Sequence, residues 1–550
     1  VRGGEETRVV SELYEIIGET NAVSGDAVYH YNGQRMAGRE SVNATLVAIP
    51  VILLILLLST GSWFEPILYL ASIGVAVLLN MGMGVISGEV SFITKSVAPI
   101  LQLAVSLDYA IFLLNAFEKY RAESASPSEA MKKAMAAAVR SVSGSAATTL
   151  FGFLALCFMS FKIGPDLGLN LASGIVLSFV SVMVFLPAVT LMCYKLLDKS
   201  RHRPVIPALG RLGRVLAKIR IPALIITVIL AVPSVLAASH MEFAYGAGGY
   251  VYGTRPYADA EKIDGAFGRS TPIVLLVPRG DTAREAALSD ELETLPHVTG
   301  VVSYAETVGA AIPPEFLDRD LVSQFYSENY ARIIVYTDTA AEGEAAFAAV
   351  EGVRSLAAKY YDTSYSCGES ASLYDIRDTI TRESRVVNAL AIAAIALVLL
   401  VAFRSLSLPV ILVLAIEVSV RINVSVSYFT GSTLFYVGYL IISTVQLGAT
   451  VDYAILFADH YMGARRLLPP VDALLTTYRA ALKSILISAA TLTLAGLALW
   501  ATSSNPITKT LGALLARGTV LSVLTVCCAL PGALWGLDKI IRKTTLKGRF

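Results

Sequence analysis

The sequence predicts a polytopic α-helical membrane protein with a parallel internal repeat, about eleven of twelve spans, and an extracytoplasmic α/β domain. Three observations carry that expectation. Apolar residues come in blocks of spanning length, Lys and Arg alternate loop by loop, and one segment recurs about 344 residues downstream.

Of the 550 residues, 55% are hydrophobic and 16% charged, whereas a soluble domain is nearer one quarter charged. Several apolar runs reach the ~20 residues that cross ~30 Å of hydrocarbon. A net charge of +1 argues against a nucleic-acid partner. Cys157, Cys193, Cys367, Cys527 and Cys528 have no metal or disulfide spacing. They are expected to be small core residues, with neither metal nor cofactor held by the chain.

Eleven candidate spans are read from the hydropathy: about 44–63, 66–87, 97–117, 143–161, 169–194, 220–239, 386–403, 409–430, 434–459, 484–502 and 510–536. The first segment, 5–18, is expected to be a polar amphipathic helix rather than a signal peptide or membrane anchor. Basic residues crowd alternate loops: Lys119, Arg121, Lys132, Lys133 and Arg140; then Lys195 to Arg220; then Arg465, Arg466, Arg479 and Lys483. The tail adds Lys539, Arg542, Lys543, Lys547 and Arg549, while the short opposite loops near 88–96, 162–168, 431–433 and 503–509 hold only Lys95, Lys162 and Lys509. The positive-inside rule places the basic set, with the C-terminus, in the cytoplasm. It places the polar stretches 1–43 and 240–384 outside.

The repeat is read from Gln102-Leu103-Ala104-Val105-Ser106-Leu107-Asp108-Tyr109-Ala110-Ile111 against Gln446-Leu447-Gly448-Ala449-Thr450-Val451-Asp452-Tyr453-Ala454-Ile455. Ser145 to Thr148 answers Ser488 to Thr491, and Leu186-Pro187 answers Leu530-Pro531. Both copies run the same way across the membrane, so the repeat is parallel. The domains expected are 44–194 (first repeat), 195–219 (basic linker), 220–239 (seventh span), 240–384 (external α/β domain), 386–536 (second repeat) and 537–550 (basic tail). Residues 1–43 are expected to be the C-terminal remnant of a first external domain whose remainder, with one span, precedes Val1. Strands near 272–277, 298–303, 332–337 and 363–367 alternate with helices 282–295 and 342–360, which fits a ferredoxin-like sandwich. Residues 25–31 are expected to be a strand of the same kind.

Asp108 and Asp452 lie inside apolar spans, where each costs on the order of 2.5–3.5 kcal/mol on insertion scales. Symmetry brings them toward one axis, and the small residues Ala104 and Gly448 are expected to let their helices approach closely. Low dielectric and like charge both disfavour ionised carboxylates, so such a pair can load and release a proton. Tyr109 and Tyr453 supply hydroxyls. Gln102 and Ser106, repeated as Gln446 and Thr450, share a face with the tyrosines. Ser145, Thr148, Ser488 and Thr491 can extend the polar path. The competing reading is structural glue between helices, worth about 0.6–2 kcal/mol per contact. A duplicated Asp-Tyr favours function, since neutral residues would pack more cheaply. Glu417 and Arg421 stand at i, i+4 and read foremost as a local ion pair, with a substrate or gating role as the alternative. Asp459 and His460 close the third span of the second repeat. No P-loop, Ser-His-Asp set or zinc motif is found.

On these motifs the chain resembles the resistance–nodulation–division superfamily, in particular its MMPL-type branch. The resemblance spans nearly the whole chain, and residues 44–194 also resemble a sterol-sensing domain. It implies that Asp108, Tyr109, Asp452 and Tyr453 form a proton relay. It further implies that the external domain is porter-type, and that the protein is a multi-pass exporter in the cytoplasmic (inner) membrane. That exporter would move hydrophobic or amphiphilic molecules such as lipids or drugs, with membrane lipids as neighbours and self-association left open. The tripartite pumps' Lys in the tenth span is absent here. A SecD/SecF-like protein-export motor and a non-transporting sterol- or lipid-sensing scaffold are the alternatives.

Overall fold

A computed structural model describes residues 6–86, 90–124, 126–202, 209–241, 243–246 and 254–546. The basic residues Arg203, Lys547 and Arg549 lie outside them. The chain divides into two units, 1–32 with 244–382, and 33–243 with 383–550.

In the first unit, four antiparallel strands form one sheet: β1 (Thr271–Pro278), β2 (Val298–Val302), β3 (Tyr330–Thr337) and β4 (Tyr365–Cys367). Their order is β2-β3-β1-β4, so each β-α-β segment places its two strands on either side of a strand from the other. Thr271 pairs with Thr337 and Pro278 with Tyr330. Alternate residues of β1 and β3, including Ile273, Leu275, Ile333 and Val335, are buried, the period-2 signature of a sheet with one covered face. Helices Thr282–Glu293 and Glu344–Tyr360 supply the cover through Leu288, Leu292, Val350 and Val353.

The N-terminal residues join this unit. Arg255 donates to the Gly18 carbonyl, sits 4.2 Å from the Tyr14 ring centre and lies 3.5 Å from Asp259, whose Oδ2 accepts from the Val23 amide. The strand expected at 25–31 is instead the start of helix Asp26–Ser59. Val28 and Tyr31 are buried together against Val10. Their i, i+3 spacing marks one helix face, whereas a strand would turn them to opposite sides.

In the second unit, eight helices build the site and brace it: α1 (Glu65–Ile86), α2 (Phe92–Arg121), α3 (Pro127–Leu154), α4 (Ile163–Lys199), α5 (Ser407–Phe429), α6 (Tyr436–Arg465), α7 (Pro470–Thr502) and α8 (Pro506–Leu524). Among the described residues, nine helices are long and apolar enough to cross a membrane. The α3 segment is a tenth if its 40° bend between Val139 and Val142 lies within one span. The eleventh expected span, 44–63, corresponds to the shorter apolar stretch Thr45–Ser59. The chain is thus a multi-pass helical membrane protein. Burial sorts the helices. The apolar windows of α2 and α6 are 78% and 83% buried, against 11% for helix Gly210–Ser239, so the Asp-bearing helices lie at the centre of the bundle.

Candidate functional site

Asp108 and Tyr109 stand midway along α2, Asp452 and Tyr453 midway along α6. All four line one cavity of about 540 Å³. Its remaining walls include Ser145 of α3, Ser488 and Ile485 of α7, and Phe403 and Arg404 at the end of helix Glu369–Phe403.

The two Asp-bearing helices are not each other's main neighbours. α6 packs on α3, and α2 packs on both α3 and α7. Gly448 does permit a close approach, but to α3: a Cβ there would lie 3.5 Å from Thr149 Cα, and one on Gly152 would lie 3.4 Å from Gly448 Cα. The Thr149 hydroxyl donates to the Gly448 carbonyl at 3.0 Å. The expectation of close α2–α6 packing is therefore corrected. The cavity occupies the space between the two Asp-Tyr pairs, and α3 and α7 wall it through Ser145 and Ser488.

The polar contacts cross between the halves. Ser488, on the helix after Asp452, donates to Asp108 Oδ2. Thr148, on the helix after Asp108, lies 3.4 Å from Asp452 Oδ1. Thr148 also sits 2.7 Å from the Ser145 carbonyl, as Thr491 does from that of Ser488. Asp108 Oδ1 is buried with no hydrogen-bond partner among the described residues. No cation lies within ion-pair distance of either aspartate among those residues.

The other expected polar residues sit elsewhere. Gln102 Nε2 donates to the Gly174 carbonyl at 3.0 Å and to Ser178 at 3.1 Å, while its Oε1 accepts from Asn80 at 3.0 Å. Gln446 repeats the arrangement: Gly518 carbonyl at 3.1 Å, Ser522 at 3.1 Å and Asn423 at 2.9 Å. Thr450 bonds Ser522 at 3.1 Å and the Gln446 carbonyl at 2.7 Å, and the Ser106 hydroxyl is buried without a partner among the described residues. Gln102 shares a helical face with Tyr109 but not its depth. Seven residues at 1.5 Å each put them about 10 Å apart along the axis. The glutamines clamp α2 to α4 and α6 to α8 and do not line the cavity.

Glu417 and Arg421 form the local pair, 3.7 Å apart, on α5. Arg517 on α8 was not singled out from the sequence, although an arginine inside an apolar run is a signal in itself. It donates from Nε to Asn423 Oδ1 at 2.8 Å, and from Nη2 to the Asn423 carbonyl at 2.8 Å and to Ser427 at 3.0 Å. Among the described residues, no group of three or more His, Cys, Asp or Glu could hold a metal ion.

Central transmembrane helices that bring two Asp-Tyr pairs to one cavity define a membrane protein with an ionisable core. The chain belongs to the MMPL family, whose family model matches residues 7–216 and 259–538. It is 25% identical over 169 residues to the sulfolipid-1 exporter MmpL8 of Mycobacterium tuberculosis, covering 29% of this chain and 15% of that protein. It is 25% identical over 221 residues to the putative membrane protein SCO6666 of Streptomyces coelicolor, covering 40% and 31%. With the putative membrane protein MJ1562 of Methanocaldococcus jannaschii the figure is 27% over 169 residues, covering 30% and 41%. In each case the match spans less than half of the relative.

Proposed function

We propose that the protein is a secondary transporter that uses proton movement to export hydrophobic or amphiphilic molecules. The cavity that holds Asp108, Tyr109, Asp452 and Tyr453 carries this reading. Carboxyls held in an apolar bundle without cations are costly, and nothing in their packing requires the charge. Membership of the MMPL family supports transport, and a relative named for export of a sulfolipid supports an amphiphilic cargo.

The chemistry rests on the crossed hydroxyls. A hydroxyl has one proton to donate and lone pairs that accept. Ser488 donates to Asp108 Oδ2. The Thr148 hydroxyl donates to the Ser145 carbonyl at 2.7 Å and reaches Asp452 Oδ1 at 3.4 Å, so its one proton is shared between the two acceptors. Each aspartate is thereby coupled to a helix of the other half. A change of protonation alters contacts between the halves, which is what a gradient-driven conformational cycle needs. In this reading the bundle sits in the cell membrane with the ends bearing Arg121, Arg201 and Arg465 in the cytoplasm. The first unit lies outside as a porter-type domain, and its strand order fits a ferredoxin-like sandwich.

The test is export of a nitrobenzoxadiazole-labelled phospholipid from cells that make the full-length protein, before and after a protonophore. Export should stop when the gradient collapses. Continued export without a gradient would overturn proton coupling.

A further inference from the structure

The cavity that holds the two aspartates also extends away from them. Asp459 of α6 lines it, seven residues beyond Asp452, and so does Asn115 of α2, seven residues beyond Asp108. Seven residues are close to two helical turns, so each lies on the same helix face as its aspartate, about 10 Å along the axis. The two positions match in the repeat. Asn115 and Asp459 are 344 residues apart, and each stands six residues before the end of its helix, at Arg121 or Arg465. Both are exposed, whereas Asp452 is buried. Of the two, Asp459 alone carries a carboxyl.

Asp459 makes no hydrogen bond or ion pair among the described residues. The nearby Arg465 is taken by Asp538 at 2.9 Å, and His460 Nδ1 lies 3.0 Å from the Leu456 carbonyl. Among the described residues, the other charged groups on the cavity walls are Asp108, Asp452 and Arg404, the last just past helix Glu369–Phe403. Lys483 of α7 lines a smaller cavity that shares Asn115 and Ser484 with this one. The described residues of α3 bring only uncharged groups to the walls, and those of α5 and α8 bring none. From α7, Ser484 and Ser488 line the cavity one helical turn apart. A volume of about 540 Å³ has room for water, and these hydroxyls supply polar partners. The gap of about 10 Å is bridged by roughly three waters in file at about 2.8 Å spacing.

We propose that Asp459 is the proton-transfer group at the cytoplasmic mouth of the cavity, taking the proton released by Asp108 or Asp452 through intervening water and handing it to the cytoplasm. The assignment rests on the proton-relay and orientation readings above. The proton leaves a protonated aspartate, each water accepts one proton as it passes one on, and the last joins the Asp459 carboxylate. Asp459 then releases it to bulk water and is ionised again, so nothing is consumed. An asparagine side chain has no proton to exchange in this range, so the route leaves by the wall of the second half and not by Asn115. The structural alternative is a solvated carboxylate that stands at the mouth and takes no part in transfer.

The experiment uses the full-length protein in detergent. A flash on a caged-proton compound lowers the pH, and time-resolved infrared follows the protonated-carboxyl band that Asp452→Asn removes. Asp459→Asn should slow the rise of that band by about tenfold or more, with its final amplitude and the thermal unfolding midpoint unchanged. Asn115→Asp added to the same chain should restore the rate, because it returns a carboxyl to the mouth from the other half. A wild-type rise in Asp459→Asn overturns the assignment and leaves the relay standing. A slowed rise that Asn115→Asp does not restore also overturns it, since the loss then comes from the altered surface and not from a missing carboxyl. If Asp452→Asn removes no titrating carboxyl band, the relay falls and this route falls with it.

Discussion

At the scale of single residues, the second half's glutamine clamp makes a sharp prediction. A Cβ on Gly518 would lie 2.4 Å from Gln446 Oε1 and 2.5 Å from Asn423 Nδ2, whereas one on Gly174 would lie 2.9 Å from Gln102 Cδ and Oε1. Alanine is the better helix former by roughly 0.5–1 kcal/mol. Displacing a locked amide forfeits hydrogen bonds worth about 1 kcal/mol each, and overpacking adds about 1–3 kcal/mol. Gly518→Ala should therefore destabilise by about 1–3 kcal/mol and Gly174→Ala by less, read as thermal unfolding in detergent. Equal or absent losses would count against the clamp. Asp108, Tyr109, Asp452 and Tyr453 were legible because an acid inside an apolar run is costly and these stand out twice. Gln102 and Gln446 were legible as polar but not as clamps. Their acceptors, the Gly174 and Gly518 carbonyls, are backbone atoms 72 residues away that no side-chain pattern announces.

At the scale of elements, the strands of the first unit were readable from alternation. The helical course of 26–31 was masked by its Val and Tyr content, since β-branched and aromatic residues favour strands until packing decides otherwise. Within this unit Glu285 lies under the sheet, 1% exposed, and its Oε2 accepts from the Tyr326 hydroxyl at 2.8 Å. Burial pushes its carboxyl above the usual range and the charge of Asp281 adds to that, while Tyr326 and Arg279 oppose it. The folded state therefore holds this proton to higher pH than the unfolded chain does. Its stabilising contribution is present below the unfolded value and is lost as pH rises through the folded one. Glu285→Gln should flatten that dependence, read as hydrogen-exchange protection of β1 and β3 across pH after correction for intrinsic rates. An unchanged slope would place the titration elsewhere.

At the scale of the whole molecule, span count and helix neighbours separate what sequence can and cannot say. Hydropathy finds helices but is blind to which pack together. The bend of α3 and the short apolar stretch Thr45–Ser59 blur the count. The crossed pairing of α2 with α7 and of α6 with α3 emerges only once the bundle is assembled. That crossing is the basis for treating Asp108 and Asp452 as one unit. Asparagine nearly matches aspartate in shape, and losing an unpaired buried ionisable group does not cost stability. The most direct measurement is efflux by full-length protein carrying Asp108→Asn, Asp452→Asn or both, with expression and thermal unfolding followed in parallel. Each single variant should fold normally and fall to the background of cells without the protein, and the double variant should be no worse, because the residues act together. Wild-type efflux by either single variant would contradict the account.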